Sequence, residues 1–182
     1  MLPSALHGQV AAYLHEAHVL EQNVLRIMDY LVGTATQVEL AAQLRRHREE
    51  TEEHLLRLKG RLAELGCGTP LAAEVSPMMG SWLRSVQDQA ATQRPGLWVR
   101  DSFVTEQVEI AFYHLLERVA LHAGDGKTMR LAVAIRRQEE AMAEWITDRW
   151  DRFLEEEIAV VVAPPGSLRP VIPLAKGGLL PL

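Results

Sequence analysis

Residues 39–66 read ELAAQLRRHREETEEHLLRLKGRLAELG. Leu40, Leu44, His47, Thr51, Leu55, Leu58 and Leu62 recur at steps of three and four, the spacing that brings side chains to one side of an α-helix. Gly66-Cys67-Gly68-Thr69-Pro70 ends that pattern, because glycine and proline punctuate helices. The stretch predicts a helix from about residue 37 to 65. Working outward, Ser4 can cap an earlier helix running to about Gly33, whose stripe is Leu6, Val10, Leu14, Ala17, Val24 and Met28. Residues 71–94 read as weaker helix, centred on 78–93. Arg94-Pro95-Gly96 is a turn, a third long helix covers about Leu97 to His122, and Gly124-Asp125-Gly126 is a tight loop. A fourth helix is expected from about Lys127 to Ile158. Consecutive long helices with short joints are antiparallel neighbours. The fold class is therefore all-α, an antiparallel four-helix bundle over residues 1–162 with a short extra helix between its two hairpins. Residues 163–182 carry five prolines, at 164, 165, 170, 173 and 181, and form an extended, Pro-rich tail.

Composition narrows the function. The chain has 182 residues, 48% of them hydrophobic, which fills a core and rules out wholesale disorder. No run of apolar residues is long enough for a membrane span, and Met1-Leu2-Pro3-Ser4 lacks the basic start of a secretory signal. Cys67 is the only cysteine, so a disulfide scaffold and a thiolate zinc site are excluded and a reducing, cytoplasmic compartment fits. A net charge of −5 argues against nucleic acid as a partner.

Several glutamates sit where leucines belong. Glu21 has Ala17, Val24 and Met28 on its own side of the first helix. Glu50 lies between His47 and His54 beside the leucine stripe. Glu106 and Glu109 share a face with Ser102 and Tyr113. Glu139 falls among Ile135, Met142 and Ile146, with Glu140 and Glu144 one step round. A buried, unpaired carboxylate costs several kcal/mol and would rather take up a proton. Carboxylates from four helices around one axis need a shared positive charge, which a pair of divalent metal ions supplies. Oxygen and imidazole donors without thiolate suit iron or manganese. The spacing suggests a duplicated design, with Glu21 and Glu50 on one hairpin and Glu109 and Glu140 on the other. Glu49, Glu52, Glu53 and residues 155–157 are most simply solvated, and one of Glu139 and Glu140 belongs with them. Met78, Met79 and the four tryptophans read as packing.

The residues now quoted resemble the YciE/YciF-type ferritin-like proteins. His47, Glu49-Glu50-Thr51 and the Leu-rich stretch after them resemble that family's second helix. Leu20-Glu21 is similar to its first-helix glutamate, 106–113 (EQVEIAFY) to its third-helix motif, and Gln138-Glu139-Glu140 with Glu144 to the fourth. Gln107 and Val108 stand where the family usually has His and Tyr. The likeness covers about residues 10–155. It implies a ferritin-like bundle with a di-metal carboxylate centre, often dimeric and linked to bacterial stress. Taken with the helix-face reading, the candidate ligand set is Glu21, His47, Glu50, His54, Glu106, Glu109, Glu139, Glu140 and Glu144. In the tail, Gly166-Ser167-Leu168-Arg169 resembles the cargo-loading peptides that bind encapsulin shells, which implies an encapsulin partner and compartment.

Two functions follow as expectations. One is an iron-handling oxidoreductase with two iron ions, or manganese, and O2 or peroxide as substrate. The other is a non-catalytic helical scaffold or interaction protein, in which Arg26, Arg46, Arg136 and Arg137 pair with the buried glutamates in place of metal.

Overall fold

The structure is a computed structural model and describes residues 4–35, 38–68, 81 and 95–162. Its helices are α1 (Ser4–Thr34), α2 (Val38–Glu64), α3 (Pro95–His122), α4 (Gly126–Thr147) and α5 (Trp150–Val162), and the described residues contain no strand. The extra helix expected within 71–94, and the tail from 163 to 182 with its Gly166-Ser167-Leu168-Arg169 motif, lie outside the described residues.

Packing fixes the helix directions. The end of α1 (Ile27, Leu31) meets the start of α2 (Leu40, Leu44), the start of α3 (Val99) and the end of α4 (Met142, Ile146) in one apolar cluster. The start of α1 (Val10, Leu14), the end of α2 (Leu58, Leu62), the end of α3 (Leu116) and the start of α4 (Ala132, Ile135) form the other. Hence α1 runs antiparallel to α2 and α3, and α4 antiparallel to both as well. The bundle is the expected one, and its interior is two greasy ends with a gap between them.

Local chemistry stops the helices where they must turn. Gly66 (φ +72°) and Gly124 (φ +70°) take the left-handed conformation after α2 and α3. At the first, Cys67 N–H donates to Leu62 and Gly66 N–H to Ala63; at the second, Asp125 N–H donates to Ala120 and Gly124 N–H to Leu121. This paired bonding satisfies carbonyls the helix leaves open, and glycine adopts it without a Cβ clash. Asp125 then caps α4. Its carboxylate accepts from the Thr128 N–H at 3.0 Å and from the Arg61 guanidinium at 2.8 Å, which ties the end of α2 to the start of α4.

The fourth helix departs from expectation. The single helix expected over Lys127 to Ile158 is two, divided at Asp148 and Arg149. The Arg149 N–H reaches back three residues to Ile146 rather than four, tightening the last turn of α4. After this break Phe153 is buried beside Trp145, with ring centroids 6.1 Å apart. No glycine or proline marks the break, so the sequence carries no signal for it.

The cap sets a testable pH dependence. Despite the opposing effect of burial, the bonds from Thr128 and Arg61 hold the Asp125 carboxyl below its ordinary value of 3.8. A depressed carboxyl stabilises the fold above its unfolded value and loses that contribution as pH falls through its folded value. Asp125→Ala is expected to lower stability by about 2 kcal/mol at neutral pH. In denaturant titrations the gap from wild type should shrink towards about pH 3; a gap that stays constant would contradict this.

Candidate metal centre

The gap between the two apolar clusters is filled by acids and imidazoles. Glu21 follows Leu20 on α1, His47 and His54 stand between Leu44 and Leu58 on α2, Glu106 and Glu109 between Val99 and Tyr113 on α3, and Glu139 between Ile135 and Met142 on α4. All six are completely buried. Helical spacing puts each on the inward stripe of its helix, so the fold that buries the leucines buries these residues too.

They form two groups that share Glu139. In one, donor atoms of His47, Glu106, Glu109 and Glu139 lie within 4.8 Å of one another; in the other, those of Glu21, His54 and Glu139 do. Glu139 faces both ways: Oε2 lies 3.5 Å from His47 Nε2 and Oε1 lies 3.1 Å from His54 Nδ1. His47 Nε2 is also 3.3 Å from Glu106, and His54 Nδ1 is 3.3 Å from Glu21.

These approaches are close enough for charge interaction, yet the atoms are not angled for hydrogen bonds. His47 Nε2, His54 Nδ1, Glu21 Oε2 and both oxygens of Glu106, Glu109 and Glu139 are buried without a hydrogen-bond partner. Native proteins leave few such atoms, and each costs about 1–3 kcal/mol or more when charged. Unpartnered oxygens and nitrogens crowded within one ion's reach are the donor arrangement a divalent cation requires.

Other side chains hold the donors from behind. Glu50 Oε2 is 3.5 Å from His47 Nδ1, the nitrogen turned away from the cluster. His54 Nε2 lies 3.0 Å from the Gln138 side-chain oxygen and donates to it. The two rings therefore present different nitrogens inward, Nε2 from His47 and Nδ1 from His54. Tyr113, fully buried, donates its hydroxyl to Glu21 Oε1 in a short hydrogen bond. Such outer partners fix the tautomer and orientation of metal-binding side chains.

Of the residues singled out from the sequence, Glu21, His47, His54, Glu106, Glu109 and Glu139 come together. Glu50 stands behind His47 with its side chain 30% exposed. Glu140 and Glu144 do not join. Successive helical residues turn by about 100°, so a Glu139 that points inward turns Glu140 outward, where it pairs with Arg136 and is 42% exposed. Glu144 is exposed. The arginines offered as substitutes for metal stay outside as well. Arg26 bonds Gln22 and Asn23, Arg136 bonds Glu117 and Glu140, and Arg46 and Arg137 are exposed. Gln138 was visible in the sequence only as part of the fourth-helix motif and without a role of its own, since a polar residue at the edge of an inward stripe looks like any other boundary residue. Tyr113 stood out only as a residue on the face of Glu106 and Glu109.

A helical bundle enclosing a His/carboxylate cluster is thus the class of protein in hand. The chain belongs to the family described as a domain of unknown function, DUF892, whose model matches residues 9–159. A crystal structure of a protein from Xanthomonas campestris pv. campestris is similar at 26% identity, over 84% of this chain and 99% of that one, with a TM-score of 0.69. YcfI of Rhodopseudomonas palustris matches at 21% identity over 78% and 92% of the two chains, with a TM-score of 0.70. The Escherichia coli stress protein YciF matches at 17% identity over 86% and 99%, with a TM-score of 0.73. No curated protein matches the chain. Among the described residues, no helix is long and apolar enough to cross a membrane.

Without a cation the cluster holds protons. Burial lowers the affinity of His47 for a proton, but the carboxylates of Glu106, Glu50 and Glu139 outweigh it and hold the ring well above its usual value. Burial likewise opposes charge on His54, yet Glu139 and Glu21 raise it from 6.5 to about 10. Burial pushes Glu139 from 4.5 to about 8 despite the pull of His54 and His47. Burial, then the charges of Glu139, Glu21 and Glu106, keep Glu109 well above the carboxylate range.

The sign of the pH effect follows. Between pH 4.5 and about 8 the native protein keeps a proton on Glu139 that the unfolded chain releases, and between 6.5 and about 10 it keeps one on His54. A native state that binds more protons loses stability as pH rises. Metal ligands must shed those protons, so metal binding strengthens as pH rises. The melting temperature of metal-free protein is expected to fall between about pH 6 and pH 9, while the gain on adding Mn(II) grows over the same range. A metal-free curve that rises, or a gain that shrinks, would contradict the cluster chemistry.

Proposed function

We propose that this chain is a ferritin-like di-metal carboxylate protein that holds two iron ions, with manganese as a possible occupant, and oxidises iron or consumes O2 or peroxide under bacterial stress. The observation that supports this best is the set of buried oxygen and nitrogen donors, from four helices, that no protein group satisfies. One ion would be held by His47, Glu106, Glu109 and Glu139, the other by Glu21, His54 and Glu139. The charges favour two ions: four ionised carboxylates carry four negative charges, and two divalent cations balance them. Iron so bound supplies one-electron chemistry towards O2 or peroxide.

The chain's own residues set the conditions for that chemistry. The apolar clusters on either side keep bulk water out. Glu50 and Gln138 fix which imidazole nitrogen faces inward, and Tyr113 holds one oxygen of Glu21 so that the other stays free. The stress role is supported by the structural likeness to YciF, an Escherichia coli stress protein. We further propose a cytoplasmic homodimer whose tail, through Gly166-Ser167-Leu168-Arg169, loads it into an encapsulin shell; the motif alone supports the loading.

Metal analysis tests the centre. Protein purified without oxygen should carry about two divalent ions per chain. Glu139→Ala, which removes the shared carboxylate, should lose both, whereas Glu140→Ala, on the outer face, should keep both. Full metal content in the Glu139 variant, or none in wild type, would overturn the reading. For the tail, co-expression with an encapsulin shell should give encapsulated protein that deletion of 163–182 abolishes; equal loading would reject the address role.

A further inference from the structure

Beside the cluster, towards the end of the bundle where α1 meets α2, lies a cavity of about 20 Å³. Among the described residues its wall includes Leu31, Leu44, Val99, Met142 and Ile146; Ser102 and Trp145 bring a hydroxyl and an indole, and nearly all of the lining surface is apolar. Its position is tied to the donors by helical spacing. Leu44 is three residues before His47, Ser102 four before Glu106, and Met142 three after Glu139, so on each of three helices a cavity residue lies one turn from a donor on the same face. The break between α4 and α5 completes the wall, because it buries Phe153 there.

The size and chemistry of this space select its occupant. A space of roughly 10–15 Å³ or more admits one water-sized molecule, so there is room for a single small guest. A buried water needs two to four polar partners, and almost none of the surface that lines this space is polar. The Met142 sulfur already accepts from the Gln43 amide at 3.4 Å. Hydrogen peroxide, with two hydroxyls to satisfy, is disfavoured for the same reason as water. A small apolar molecule loses nothing by entering.

We propose that this cavity is a docking site for dioxygen, one helical turn from the His/carboxylate cluster. The use made of the gas rests on the di-metal reading, and there it selects O2 over peroxide as the guest held next to the donors. The binding itself depends only on the cavity.

Dioxygen is paramagnetic, so the probe is the gas itself and the protein can be metal-free. Methyl relaxation is compared under oxygen and under argon. The methyls of Leu31, Leu44, Val99 and Ile146 should relax several-fold faster under oxygen than those of Leu14, Leu58, Leu116 and Ile135, which are buried in the other cluster. Val99→Phe, which fills the space, should remove the difference. Should that variant fail to fold, xenon on the wild type replaces it, and saturable shifts should be confined to the same methyls. Equal oxygen effects in both clusters, xenon shifts spread through the core, or ordered water in the cavity would overturn the proposal. Because the protein is metal-free, none of these outcomes bears on the metal content measured above. Loss of the metal centre would likewise leave the docking result standing.

Discussion

Four carboxylates and two imidazoles share the dry centre of this bundle, and the rest of the structure must answer to that charge. Ionised together in a low-dielectric interior they would repel one another and forfeit their hydration, at a cost no set of leucines offsets. Protons or cations must therefore enter. Protons are a partial answer: burial makes Glu139 and Glu109 hold theirs well above the usual carboxylate range, the carboxylates do the same for His47 and His54, and oxygens and nitrogens are still left without hydrogen-bond partners. Cations answer both demands, since an ion neutralises charge and occupies lone pairs at once.

The apolar parts can be understood as the frame that makes this centre possible. Two hydrophobic clusters clamp the helices at either end and leave the middle turns facing each other. The glycine-ended helices and the Asp125 cap, with Arg61 across it, hold α2 and α4 in the relative position on which the His54–Glu139 approach depends. Around the donors, Glu50, Gln138 and Tyr113 leave little freedom for ring flips or carboxylate rotation.

The helices were legible because their stripes are regular and their ends carry glycine. The cluster was legible because Glu21, Glu106, Glu109 and Glu139 interrupt apolar stripes, a conflict with burial that has few resolutions. His47 and His54 stood out as the pair that flanks Glu50, one helical turn to either side. What the sequence did not show has physical causes too. Glu139 and Glu140 are neighbours, and an uncertainty of one residue in helix rotation exchanges inside for outside; only packing of Ile135 and Met142 against the other helices settles it. The break at Asp148 and Arg149 comes from tertiary docking of Phe153, with no local breaker to announce it. Gln138 and Tyr113 matter through partners 84 and 92 residues away in the chain, distances over which one-dimensional periodicity carries no information.

The central claim is that the buried donors surround two ions. Crystals grown with Mn(II), with diffraction collected at a wavelength where manganese scatters anomalously, test it most directly. Two anomalous peaks per chain are expected, one among His47, Glu106, Glu109 and Glu139 and the other among Glu21, His54 and Glu139. An empty cluster with its glutamates paired to one another by shared protons, or peaks confined to the surface, would contradict it.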